Sequence, residues 1–170
     1  MAAVVTAASM IGIQASAQTS AQVNLSVVLS NVQSITASTN AVSLNFATAS
    51  DYQNGVSQTI ADHLSVFSNG VFTVSVSASG DLTGTTTPSN TIPVSTISLT
   101  PSTGSSINPT ASPTYTPVNL STSSQTLIHN TSGVLIGKFN IKYSANDSNG
   151  DYLKPGDTYT TTITYTIAAS

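Results

Sequence analysis

The sequence predicts an all-β fold, an immunoglobulin-like antiparallel β-sandwich of about seven to nine strands, and three observations support that prediction. Residues 157–167 read DTYTTTITYTI, placing Tyr159, Thr161, Ile163, Tyr165 and Ile167 on one side of an extended chain and Thr158, Thr160, Thr162, Thr164 and Thr166 on the other. Successive strand side chains point to opposite faces, so this stretch has one apolar face and one hydroxyl face. The composition is rich in β-branched residues, with three Lys, no Arg and no Glu, which favours strands over helices. Finally, clusters of Gly, Asn and Pro recur at short intervals, as the turns between short strands require. A single half-apolar strand is unstable in water, so the rest of the chain must supply a sheet and a second layer.

The composition also bounds the function. Hydrophobic residues make up 39% of the 170 residues, enough for a modest core without Trp, so disorder is not the expectation despite the many Ser and Thr. Lys138, Lys142 and Lys154 face six Asp, and a net charge of -3 gives no positive footprint for nucleic acid. The absence of Cys removes disulfides, thiol catalysis and thiolate metal sites together.

The elements follow in chain order. Residues 2–13, AAVVTAASMIGI, form an apolar run of signal-peptide length, and Ala15-Ser16-Ala17 before Gln18 has the small-x-small form of a cleavage site, although no Lys or Arg precedes the run. The run is too short to span a bilayer as a helix. Residues 1–17 are therefore expected to be a signal peptide and the protein to be exported, with a short buried helix as the alternative. Residues 18–170 are read as one sandwich domain with no membrane span. Val23, Leu25, Val27 and Leu29 alternate with polar residues as a first strand, continued by Val32 and Ile35 after a break at Ser30-Asn31. Val42, Leu44 and Phe46 mark a second strand ending in the turn Asp51 to Gly55, whose Asn-Gly tolerates positive φ. Residues 60–78 read as a hairpin about Ser68-Asn69-Gly70, with Phe72, Val74, Val76 and Ala78 inward.

Residues 85–117 hold six of the seven prolines and read as a Pro/Ser/Thr-rich loop with at most a short edge strand, since proline cannot donate to a ladder. A linker between two small domains is the alternative. Order resumes at Val118 and Leu120. After a turn at Asn130 to Gly133, Leu135, Gly137, Phe139, Ile141 and Tyr143 share one face, and this strand is expected to pair with the terminal one as a second hairpin.

Candidate chemistry is sparse. His63 and His129 have serines nearby, as any histidine here would, but no G-x-S-x-G elbow lifts one for attack, and both read as polar surface residues. Asp62 and His63 are strand neighbours and face opposite ways. Most aspartates lie in turns, where carboxylates serve the backbone, so no catalytic residue, cofactor or metal is assigned. Asp147, Asn149 and Asp151 have the alternate spacing of a calcium loop, yet Gly150 falls out of place and no Glu closes the site; hairpin-loop chemistry accounts for the same residues.

The two ends carry a family likeness. The alternating Val23, Leu25, Val27 and Leu29, together with the C-terminal YTTTITYTI, resembles bacterial fimbrial (pilin-like) subunits, and PGDTYTTTITYTI is also similar to the closing strand of WxL-type cell-surface domains. The fimbrial resemblance implies an incomplete sandwich completed by the N-terminal strand of the next subunit. Val23, Leu25, Val27 and Leu29 would then be the donor strand, with Tyr159, Ile163, Tyr165 and Ile167 on the core face of the C-terminal strand. The expected function is a non-enzymatic structural subunit of an extracellular filament or surface layer, its partners being copies of itself or other surface proteins. The alternative is a monomeric surface domain that binds glycan or cell-wall polymer through Tyr52, Tyr115, Tyr143 and Tyr152.

Overall fold

The computed structural model describes residues 19–146 and 150–170. The expected signal segment and residues 147–149 of the calcium-like loop lie outside them. In chain order the elements are β1 (Gln33–Ala37), α1 (Ala49–Asn54), β2 (Val56–Ser68), β3 (Phe72–Ala78), β4 (Leu82–Gly84), β5 (Thr91–Ile92), a 3-10 turn (Val94–Thr96), β6 (Ile97–Asn108), β7 (Thr114–Tyr115), β8 (Val118–Asn119), β9 (Gln125–Asn130), β10 (Val134–Ala145), β11 (Tyr159–Thr160) and β12 (Ile163–Ala169). The all-β antiparallel sandwich expected from the sequence is present. Of its twelve described strands, seven are five residues or longer, and the others are short bridges that extend the sheets.

One sheet has the order β1-β2-β10-β6-β8, the facing sheet β12-β3-β9-β7, and a small third sheet β11-β4-β5. The core lies between the two large sheets, with Leu64, Val66, Phe139 and Ile141 on one side and Phe72, Val74, Val76 and Leu127 on the other, all almost fully buried. Their alternation is the sequence pattern at work, since every second residue faces the opposite sheet.

Pairing departs from the sequence reading in a consistent way. The expected hairpin of residues 60–78 is an arch: β2 belongs to one sheet and β3 to the other, so the two do not pair. The β9–β10 turn is likewise an arch, and β10 pairs with β2 and β6 rather than with the terminal strand. Alternation specifies which face of a strand is apolar. It is equally satisfied by a neighbour in the same sheet or by a partner in the opposite one.

The stretch 41–47 is not a strand, although Val42, Leu44 and Phe46 still pack half-buried against the core. The expected turn after it is a short helix, α1. Thr48 and Asp51 form a reciprocal capping box at its start, and Gly55, at φ 75, ends it. A side chain at Gly55 would also meet the Ala145 carbonyl at 2.5 Å, so both the backbone and the close approach require glycine.

The Pro-rich segment holds β6, a twelve-residue strand paired with β10 along most of its length. Ile97 directs its carbonyl toward β8, where it accepts from the Leu120 N–H, and by the two-residue period Pro101 faces the same way. Pro101 lies beyond the last β8 pair, Leu99 with Val118, so its missing N–H costs the ladder nothing. The terminal stretch is also divided: β11 pairs with β4, and β12 pairs with β3. The break comes at Thr161 and Thr162, where the Thr161 hydroxyl donates to the Gly80 carbonyl and the Thr162 N–H donates to the Ser79 hydroxyl. These side-chain bonds replace ladder bonds. Tyr159 thus sits in a different sheet from Ile163, Tyr165 and Ile167, yet all four still lean on the core.

Candidate functional site

The two lateral sides of the sandwich differ. On one, the chain crosses between sheets from β7 to β8 within residues 114–119 and closes the gap. On the other, β1 and β12 are the outermost strands of their sheets and lie against each other, each with one long edge that no strand pairs among the described residues. Ile35 of β1 and Ile163, Tyr165 and Ile167 of β12 are only half-buried, whereas the residues facing them from inner strands are sealed. The result is an apolar seam bordered by free backbone donors and acceptors, the kind of edge that accepts another strand.

A chain of polar groups lies beneath the seam. The Tyr143 hydroxyl is 2.8 Å from His63 Nε2 and 2.6 Å from the Tyr165 hydroxyl, and Ser38, just past β1, places its Oγ 3.4 Å from His63 Nδ1. The network therefore joins both edge strands through the core. Burial pushes the Tyr165 hydroxyl well above the usual tyrosine range, with the neighbouring Tyr143 adding to it, and burial also raises Tyr143. His63 is 2% exposed, not the surface residue expected. It sits in a bulge where the three residues of β2 between Ile60 and Leu64 lie opposite the single Asn140 of β10, with Asp62 at φ 49. The Asn140 amide fills the gap, accepting from the Asp62 N–H at 2.8 Å and donating to the Thr103 carbonyl.

Burial holds the folded imidazole neutral to lower pH than in the unfolded chain, whose histidine titrates near 6.5. Below about 6.5 the unfolded state therefore binds more protons, and stability falls with pH until the folded imidazole itself is protonated. Urea denaturation midpoints should decline between about pH 6.5 and pH 5, and His63→Phe should flatten that slope.

Asp51, Asp62, Asp81 and Asp157 serve the backbone. Asp62 accepts from the Ser105 N–H at 2.8 Å and from its hydroxyl, facing away from His63. Asp81 accepts from the Val94 N–H. Desolvation opposes ionisation of Asp157, but the N–H of Thr87, the hydroxyl of Thr85, and the N–H groups of Thr86 and Thr158 outweigh it and hold the carboxyl at about 2. Asp157 thereby moors β11 to the loop after β4. His129 lies on β9 with its Nδ1 3.1 Å from the Thr73 hydroxyl.

The tyrosines do not form one exposed platform. Tyr143 and Tyr152 are buried, Tyr115 is half-buried with its hydroxyl 2.8 Å from that of Thr103, and Tyr52 packs on Phe46.

The N-terminal segment is placed differently from the expected first strand. Val23, Leu25, Val27 and Leu29 belong to no strand and are 90%, 89%, 75% and 84% exposed. The first strand is β1, which begins at Gln33. No family model and no curated protein sequence matches the chain.

Proposed function

We propose that this chain is a non-enzymatic structural subunit of an extracellular filament or surface layer, assembled by strand addition between copies. One observation carries the reading: an alternating apolar segment stands outside the fold, while the same fold leaves an apolar seam between two unpaired edges. Residues 22–29 of one copy would lie along the free edge of β12 in the next, directing Val23, Leu25, Val27 and Leu29 toward Ile35, Ile163 and Ile167. Main-chain bonds would supply affinity and the alternate side chains would supply register. The segment precedes β1, and its apolar residues are exposed and belong to no strand of their own domain, so they stay available to join one copy to another. Such head-to-tail contacts propagate into a fibre when their rotation does not close.

Leu25→Asp places a carboxylate at the centre of the donor face. Assembly followed by light scattering should fall to the baseline of the unpolymerised chain, because an unpaired charge cannot enter an apolar seam. Leu25→Ile should assemble. Equal assembly by Leu25→Asp and the parent would remove the proposal. The glycan alternative has less support, since two of its four tyrosines lie in the core.

A further inference from the structure

The root of the projecting segment is held by a single turn. Asn69 lies at the tip between β2 and β3, and its side-chain Oδ1 accepts from the Val32 N–H at 2.9 Å while its Nδ2 donates to the Ser30 carbonyl at 2.6 Å. Its own backbone N–H donates to the Val32 carbonyl at 3.2 Å. Three hydrogen bonds thus span residues 30–32, immediately after Leu29 and immediately before β1. The turn that presents Asn69 is itself braced. Ser68 is 1% exposed; its hydroxyl donates to the Gly70 carbonyl at 2.9 Å and lies 3.3 Å from the Gln33 amide nitrogen. Behind it the β9–β10 turn approaches so closely that a side chain at Gly133 would meet the Ser68 carbonyl oxygen at 2.7 Å and the Asn69 carbonyl carbon at 2.8 Å.

We infer that Asn69 is a positioning residue that fixes the direction in which the segment leaves the domain, and so sets the angle and stiffness between consecutive subunits. The inference rests on the strand-addition reading above. An amide is the group this place requires, because one backbone donor and one backbone acceptor, two residues apart, must be met by a single short side chain. Aspartate keeps the shape and the acceptor but turns a charged oxygen toward the Ser30 carbonyl. Alanine loses both bonds. Without the clamp, residues 30–32 would swivel about the start of β1 while the segment itself, and its fit to a neighbouring seam, stayed unaltered.

The test compares the full chain with Asn69→Ala and Asn69→Asp, each first shown by circular dichroism to keep the β signal. Amide hydrogen exchange at Val32 should accelerate by about tenfold in Asn69→Ala, the scale of losing one such bond, and by less in Asn69→Asp, which keeps the acceptor. Fibres of both variants should form at the parent's rate, with a persistence length, traced by negative-stain microscopy, lower by roughly twofold or more. Parent-like stiffness in both variants, or unchanged Val32 exchange in Asn69→Ala, would overturn the inference. Failure of the parent to form fibres would instead defeat the strand-addition reading, and the exchange measurement would still decide whether Asn69 holds the root.

Discussion

Deleting residues 18–29 is expected to abolish assembly and leave a folded, monodisperse chain. Val23, Leu25, Val27 and Leu29 contribute little packing to the domain, because they are largely exposed and lie in no strand, and Ser30 and Val32 remain to meet Asn69. The same four side chains supply the association. Burying each one fully contributes about 1.5–3 kcal/mol, and each strand-to-strand hydrogen bond adds about 0.5–1.5 kcal/mol. Against this stands an association cost of about 4–15 kcal/mol, which the truncated chain has nothing to offset. Size-exclusion chromatography and negative-stain microscopy should show discrete particles in place of fibres. A synthetic peptide of residues 22–29 added to the truncated chain should raise its melting temperature in a concentration-dependent way, because a ligand that binds only the folded state stabilises it by mass action. Fibres that persist after the deletion would refute strand addition. A peptide without effect would show that the seam is not the acceptor.

Phe139→Ala is expected to remove most of the stability of the sandwich. Phe139 is fully buried on β10, where it pairs with Leu64 on one side and Thr103 on the other, and its ring meets Tyr115 edge-on at a centroid distance of 6.2 Å. Truncating a buried Phe costs about 3–5 kcal/mol through lost transfer energy and the cavity left behind, out of a total of about 5–15 kcal/mol for a typical domain. The urea midpoint should drop sharply with little change in slope, since the surface exposed on unfolding is nearly the same. A Cβ added at the nearby Gly137 would sit 3.1 Å from the Phe139 ring, so the ring packs directly on that bare stretch of backbone. A loss below about 1 kcal/mol would mean that β10 is not the centre of the core.

Much of the molecule was legible from its residues because side-chain parity is local. The inward faces of β3, β10 and β12 follow the alternation of Phe72 to Ala78, of Phe139 to Tyr143 and of Ile163 to Ile167. Gly55 has the positive φ expected of its Asn-Gly pair. The departures arise where a distant group decides. His63 is buried because a bulge opposite Asn140 turns it toward Tyr143, and both of those residues lie some eighty positions away. Pro101 entered a long strand because β8 is too short to reach it. The terminal stretch divided because Ser79 and Gly80 competed for the bonds of Thr161 and Thr162.

By itself, the sequence determined that the chain would be a β-sandwich, which residues would face its interior, and that residues 22–29 carry an alternating apolar pattern. Those are consequences of a two-residue period and of composition, and both act over a few neighbouring residues. Only the tertiary structure decided which strands pair, since a turn such as Ser68 to Gly70 serves an arch between sheets as readily as a hairpin within one. It also decided that β1 and β12 end their sheets on the same side, which leaves the seam, and that residues 22–29 stand outside the fold that their pattern would otherwise have joined. Whether an apolar face is covered depends on the packing of the whole chain, and no local run of residues contains that information.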